Sequence, residues 1–143
     1  MKNQLNKVLV ERFSRQIILK EVGTIGQKKI LSSKVLIVGA GGLGSPVAEF
    51  LSRAGVGTIG IIDNDNVSLS NLHRQNLYLT KDVGKSKVKI AKDKIKKINN
   101  NTKVKTYKIR LNNQNFKKII NNYDYFVDGS DNFKTKFLLN DFC

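Results

Sequence analysis

Apolar and polar positions along the chain switch repeatedly between two periods. Lys34–Val38 (KVLIV), Thr58–Ile62 and Tyr123–Val127 are short, nearly unbroken apolar runs, the pattern of parallel strands covered on both faces. Between them the spacing is helical. Leu43–Ala54 sets Val47, Leu51 and Ala54 on one face with Phe50 adjoining, and a helix capped by Ser86 runs to Ile98 with Val88, Ala91, Ile95 and Ile98 in a stripe. Val8–Ile18 and Gly26–Leu31 predict two short helices before the first strand. Lys103–Leu111 predicts a third strand, more polar and so nearer an edge. A short helix follows over Asn115–Asn121, and a last one opens at Phe133 and runs to Phe142. Strands and helices alternate, which implies an α/β fold with a mostly parallel sheet and helices on both faces. Right-handed crossovers then give the strand order 3-2-1-4, with ligands over the carboxyl ends of the strands at the switch point.

Four glycines, Gly39, Gly41, Gly42 and Gly44, interrupt the pattern just after the first strand, and Asp63 closes the second. Each position has a physical reading. Gly39 makes the tight turn, Gly41 lets the backbone approach a phosphate, and Gly44 lets helix and strand pack closely. The free N–H groups and dipole of the helix attract phosphate, while Asp63 sits where a carboxylate accepts from a ribose hydroxyl. Pro46, the only proline, lies in the first helical turn, where its missing N–H costs nothing. The fold class is therefore Rossmann-like and doubly wound, and it binds a nucleotide.

Length and composition add bounds. A chain of 143 residues fits one domain, read as residues 1–143 with an N-terminal helical segment over 8–32. No apolar run approaches the roughly 20 residues of a membrane span and no signal peptide is evident, so the expected location is cytoplasmic, with no membrane partner. One cysteine, Cys143, excludes a disulfide framework or an all-cysteine metal site within the chain. The net charge of +15 attracts polyanions. With lysines distributed among many asparagines and isoleucines, AT-biased codon usage and solvated charge are the preferred explanation of it.

A glycine cluster with Asp63 also suits an NAD-dependent oxidoreductase. The segment Asn64–Asp82 points elsewhere, because long loops in compact domains tend to be functional. Asn71, Arg74 and Gln75 add amide and guanidinium groups suited to a triphosphate, and Lys87 in the next helix is a further phosphate contact. His73 reads as a neighbour, since a lone histidine without ligand partners is more often structural. Asp128 and Asp131, after the fourth strand, resemble the oxygen ligands magnesium takes beside phosphates, though Asp-Gly-Ser-Asp is also good turn chemistry.

Five ordered motifs, RFSRQIIL, GAGGLGS, DNDNVSLSNLHRQ, VGKSKV and DGSDNF, resemble those of the E1-like activating enzymes from about Glu11 to Cys143. That family includes the MoeB, ThiF and HesA-type adenylyltransferases and the adenylation domains of ubiquitin-activating enzymes. The resemblance implies ATP-dependent adenylation of the C-terminal glycine carboxylate of a small ubiquitin-like sulfur-carrier protein ending in Gly-Gly, in molybdopterin or thiamine biosynthesis. It implies that Gly41 and Gly42 approach the phosphates, Asp63 holds the ribose, and Asn71, Arg74 and Lys87 bind the triphosphate with Gln75 beside them. Asp131 would be the Mg2+ carboxylate, and Arg15 would reach the ATP of the other subunit of a homodimer. Complete members continue further, often with a reactive cysteine and two CxxC pairs for zinc. The chain is accordingly read as an N-terminal portion truncated after the fourth strand, and Cys143 receives no catalytic role. A tRNA threonylcarbamoyladenosine dehydratase of the same family is the second reading, with tRNA as a partner not favoured. A non-catalytic partner of a paired activating enzyme is disfavoured by the presence of Arg74, Lys87 and Asp131.

Overall fold

The computed structural model describes residues 5–141. Four parallel strands, β1 (Lys34–Val38), β2 (Thr58–Ile62), β3 (Lys103–Tyr107) and β4 (Tyr125–Asp128), lie in the order β3-β2-β1-β4. The expected order and sheet type are therefore present. β1 is central because it is apolar at every position after Lys34, and both of its faces are covered. Its alternate residues feed two cores. Val35 and Ile37 join Ile59, Ile61, Ala48, Ala91 and Ile95 on one face. Leu36 and Val38 join Ile62, Phe116, Ile119 and Leu139 on the other.

Helices α4 (Gly44–Ala54) and α5 (Lys87–Ile98) pack on the first face, and α6 (Asn113–Ile120) and α7 (Phe133–Asn140) supply side chains to the second. In α4 the fully buried positions are Gly44, Ser45, Ala48 and Ser52; Val47 and Leu51 flank them, and Phe50 is 66% exposed. Small residues face the sheet because the helix lies close against it, which displaces the expected stripe by about a third of a turn. Gly55 ends α4 in the left-handed conformation, with φ of 95°.

Several boundaries differ from the sequence reading. The expected helix over Val8–Ile18 is two, α1 (Lys7–Arg12) and α2 (Ser14–Ile17), because Phe13 turns inward and is buried at the break. α3 begins earlier than expected and spans Gly23–Ser32. β3 stops at Tyr107 instead of Leu111, since its partner β2 runs out: the last link is the Asp63 N–H to the Tyr107 carbonyl, 3.2 Å. β4 starts at Tyr125, since Tyr123 leaves the ladder to fill the space over Gly60, where a Cβ would collide with its ring. α6 opens two residues early because Asn112 caps it, accepting from the N–H groups of Gln114 and Asn115. Ser86 stands before α5 as expected, but its hydroxyl makes no capping bond. α7 ends at Asn140; Phe142, and Cys143 with it, lie outside the described residues. No helix among the described residues is long and apolar enough to cross a membrane.

Candidate functional site: a cleft over the carboxyl ends of the strands

A cleft of about 820 Å3 opens where β1, β2 and β4 end. Gly39, Gly41, Gly42, Asp63, Asn71, Arg74, Gln75, Lys87 and Asp131 all border it, brought from five separate segments of the chain. Two predicted site residues do not. Gly44 is buried one turn below, where a Cβ would overlap the Gly39 carbonyl oxygen; its role is to let α4 meet the loop. Arg15 is exposed on α2, whose neighbour Gln16 bonds the Ala54 carbonyl at the far end of α4. Eleven residues of helix, about 16 Å, separate that end from the cleft. Arg15 therefore does not reach the site of its own chain.

The glycine loop is held from all sides. Gly39 has φ of 89°, and a Cβ there would sit 2.7 Å from the Gly129 carbonyl oxygen, so the loops after β1 and β4 cross in contact. The Ala40 N–H donates to Asp63 Oδ2 at 2.7 Å, and the Ala40 carbonyl accepts from the buried Tyr78 hydroxyl at 2.8 Å. Asp63 Oδ1 accepts from the Asp65 N–H at 2.8 Å. Both carboxylate oxygens are thus oriented by backbone and keep lone pairs for a ligand. No side chain caps the N-terminus of α4, so its end stays available to an acceptor on that side.

Tyr78 was not singled out in the sequence. It fastens the loop carrying Arg74 to the glycine loop, and burial together with the nearby Asp63 charge pushes its hydroxyl pKa up, keeping it a neutral donor. Tyr78→Phe leaves the buried Ala40 carbonyl without that donor and is expected to destabilise the fold by about 1–3 kcal/mol. Urea unfolding checks this; an unchanged midpoint would mean that the hydroxyl holds nothing.

Arg74 follows a short 3-10 turn (Leu69–Asn71), its guanidinium donating to Asn71 Oδ1 at 2.9 Å and lying 3.2 Å from His73 Nε2. Its stem lies against Gly42. Gln75 is buried at the cleft wall, and its Oε1 accepts no hydrogen bond among the described residues. Lys87 is 5% exposed, and its ammonium meets Asp65 Oδ2 at 3.2 Å across the opening. Asp65 was missed because an exposed loop carboxylate carries no pattern of its own; its distance from Lys87 in sequence hides the pairing. Because β3 ends early, Ile109, Arg110 and Leu111 swing over the cleft and add an apolar wall and a third cation to it. Their placement follows from strand pairing, which sequence periodicity does not show.

The two aspartates after β4 divide. Burial pushes the Asp128 carboxyl up, but the Ser130 hydroxyl and N–H (2.6 and 2.9 Å) and the Lys136 ammonium (3.2 Å) outweigh it and hold the pKa below the ordinary value. Asp128 is thus committed to the turn, while Asp131 is exposed at the cleft and forms no ion pair among the described residues. A carboxyl held low adds stability above its unfolded pKa and loses it as pH falls through the folded value. Asp128→Asn should therefore flatten the stability curve below about pH 4, which equilibrium unfolding across pH 2–6 reads; an identical acid limb would contradict the assignment.

Among the described residues no group of three or more His, Cys, Asp or Glu could by itself hold a metal ion. Magnesium is ordinarily held by one or two carboxylates plus ligand phosphates, and Asp131 beside the cations at this cleft fits that arrangement.

A doubly wound parallel sheet with a glycine loop, a carboxylate after β2 and cations facing one cleft defines a Rossmann-like α/β domain. Residues 13–143 match the model of the ThiF family, and the chain belongs to that family. It is 46% identical over 132 residues to a sulfur carrier protein adenylyltransferase from Thermus thermophilus, covering 92% of this chain and 49% of that protein. To a probable molybdopterin-synthase adenylyltransferase of Porphyra purpurea it is 45% identical over 132 residues, covering 92% of this chain and 35% of that one. The E. coli tRNA N6-threonylcarbamoyladenosine dehydratase, solved with ATP, superposes with a TM-score of 0.87 at 27% identity, covering 96% of this chain and 56% of that one. The chain thus spans about half or less of the length of these relatives.

Proposed function

We propose that the cleft binds Mg-ATP and serves the adenylation of the C-terminal glycine carboxylate of a ubiquitin-like sulfur carrier. The observation that carries this reading is the convergence of Arg74, Lys87, Asp131 and the glycine loop on one cleft. The names of the curated relatives support it. Gly41 and Gly42 leave the backbone open to the phosphates, Asp63 holds the ribose, and Val38, Ile62, Ile109 and Leu111 give the base an apolar wall. Arg74 and Lys87, with Asn71 and Gln75 beside them, hold and neutralise the triphosphate.

A carboxylate oxygen of the carrier attacks the α-phosphorus, the bond from that phosphorus to the α–β bridging oxygen breaks, and pyrophosphate leaves with the electron pair. No protein nucleophile is needed; catalysis is positioning and charge neutralisation. Asp131 would hold Mg2+, which when bound would supply further neutralisation of the phosphate charge. Arg15, remote from its own cleft, serves the cleft of a second copy in a homodimer. The same half-reaction on a carboxylate of modified tRNA is the second reading, favoured by the likeness to the dehydratase solved with ATP.

Carrier-dependent exchange of labelled pyrophosphate into ATP tests the proposal. Exchange with a Gly-Gly-ended carrier and none with tRNA is the expected result; exchange with tRNA alone selects the dehydratase reading, and exchange with neither overturns both.

A further inference from the structure

The positive charge is concentrated. Residues 81–118 hold fourteen Lys or Arg against only Asp82 and Asp93, a net +12 of the chain's +15. The other 105 residues carry twelve cations and nine acids, almost balanced. Codon bias alone would spread the excess along the chain, so the even distribution expected above does not hold.

The fold places β3 at one edge of the sheet with α5 packed beside it, while α6 crosses the opposite face over β1 and β2. Lys89, Lys92, Lys96 and Lys97 of α5, Lys103 and Lys105 of β3, and Lys118 of α6 are all exposed. Edge lysines commonly guard a strand against pairing with another chain, which accounts for Lys103 and Lys105. It does not account for the lysines on the flanking helices.

Surface chemistry narrows the partner. Among the described residues, the only large apolar side chain exposed in this segment is Val83, at its start. That is unlike a membrane-inserting face or a protein interface core. Exposed aromatic platforms for unstacked bases are also lacking there: Phe116 is buried, and the half-buried Tyr107 is bonded to Tyr123. What remains is a row of flexible ammonium groups, suited to repeated phosphates on a regular backbone.

We propose that the β3 edge, with α5, binds the phosphate backbone of a nucleic-acid duplex without reading its sequence. Two of the fourteen cations, Lys87 and Arg110, belong to the cleft; the remaining twelve lie outside its lining, and this surface does not depend on the adenylation reading.

Fluorescence anisotropy with a labelled RNA duplex of about 20 base pairs, the matching DNA duplex, and oligo-dT of equal length tests it. Each phosphate neutralised contributes about 0.9 to the slope of log affinity against log salt. The wild-type chain should bind a duplex more tightly than oligo-dT, with a slope of about −4 or steeper. The quadruple variant Lys92→Glu, Lys96→Glu, Lys103→Glu, Lys105→Glu should lose about 100-fold in affinity at 0.1 M salt and flatten the slope by about 3. The control Lys20→Glu, Lys28→Glu, Lys29→Glu, Lys134→Glu, with the same change in charge outside this edge, should lose less than about fivefold. Seven of the eight residues are exposed and Lys28 is half-buried, and circular dichroism checks that both variants fold. The RNA and DNA arms identify which duplex is preferred. Equal losses in the two variants, tighter binding to oligo-dT, or binding only to phosphatidylserine vesicles would each overturn the proposal.

Discussion

Lys87→Met is expected to weaken Mg-ATP binding about 10- to 150-fold, the equivalent of about 1.5–3 kcal/mol for a charge-assisted contact. The ammonium is almost wholly shielded from solvent, so a phosphate meeting it does so at low effective dielectric. Its present partner does not compete strongly: the Asp65 side chain is 61% exposed, and an ion pair with one well-solvated member is worth at most about 1 kcal/mol. Thermal stability should accordingly change little, because methionine keeps the buried stem and Asp65 stays hydrated. The two readouts together separate a binding role from a structural one. An unchanged affinity would remove Lys87 from the site, whereas a large loss of stability would make the Asp65 pair a structural element.

Gly44→Ala is expected to cost about 3 kcal/mol or more and to lower the melting temperature by roughly 10 °C. The added methyl would overlap the Gly39 carbonyl oxygen and press on the Ile37 side chain, and backbone cannot yield as a rotamer can. Relief requires lifting α4 from β1, which opens the first core. Gly41→Ala is the informative contrast. There the nearest atom to a Cβ is Gln75 Nε2 at 3.7 Å, so the fold should be unaffected while a ligand phosphate loses its close approach. A Gly44→Ala protein that melts like the wild type would show that the tight contact between α4 and the glycine loop is not required.

The sheet was legible because its evidence is local. Apolar runs mark β1 and β2, and the crossover rule orders the strands without further information. The floor of the cleft was equally plain, since Gly39, Gly41 and Asp63 have backbone reasons to be where they are. The walls were harder to read. Arg110, Ile109 and Leu111 looked like the end of a strand, because periodicity continues past Tyr107 while the partner strand does not. Phe13 broke a helix that propensity favoured, since burial against Gly55 outweighs one more turn. Tyr78 and Asp65 act through tertiary contacts with Ala40 and Lys87, and nothing in their own neighbourhoods signals this.

The central claim is that the cleft is built for a magnesium nucleoside triphosphate, and isothermal titration calorimetry tests it most directly. Mg-ATP should bind the chain with 1:1 stoichiometry, and Arg74→Ala should weaken that binding at least about tenfold. NAD bound with no measurable affinity for Mg-ATP would contradict the account.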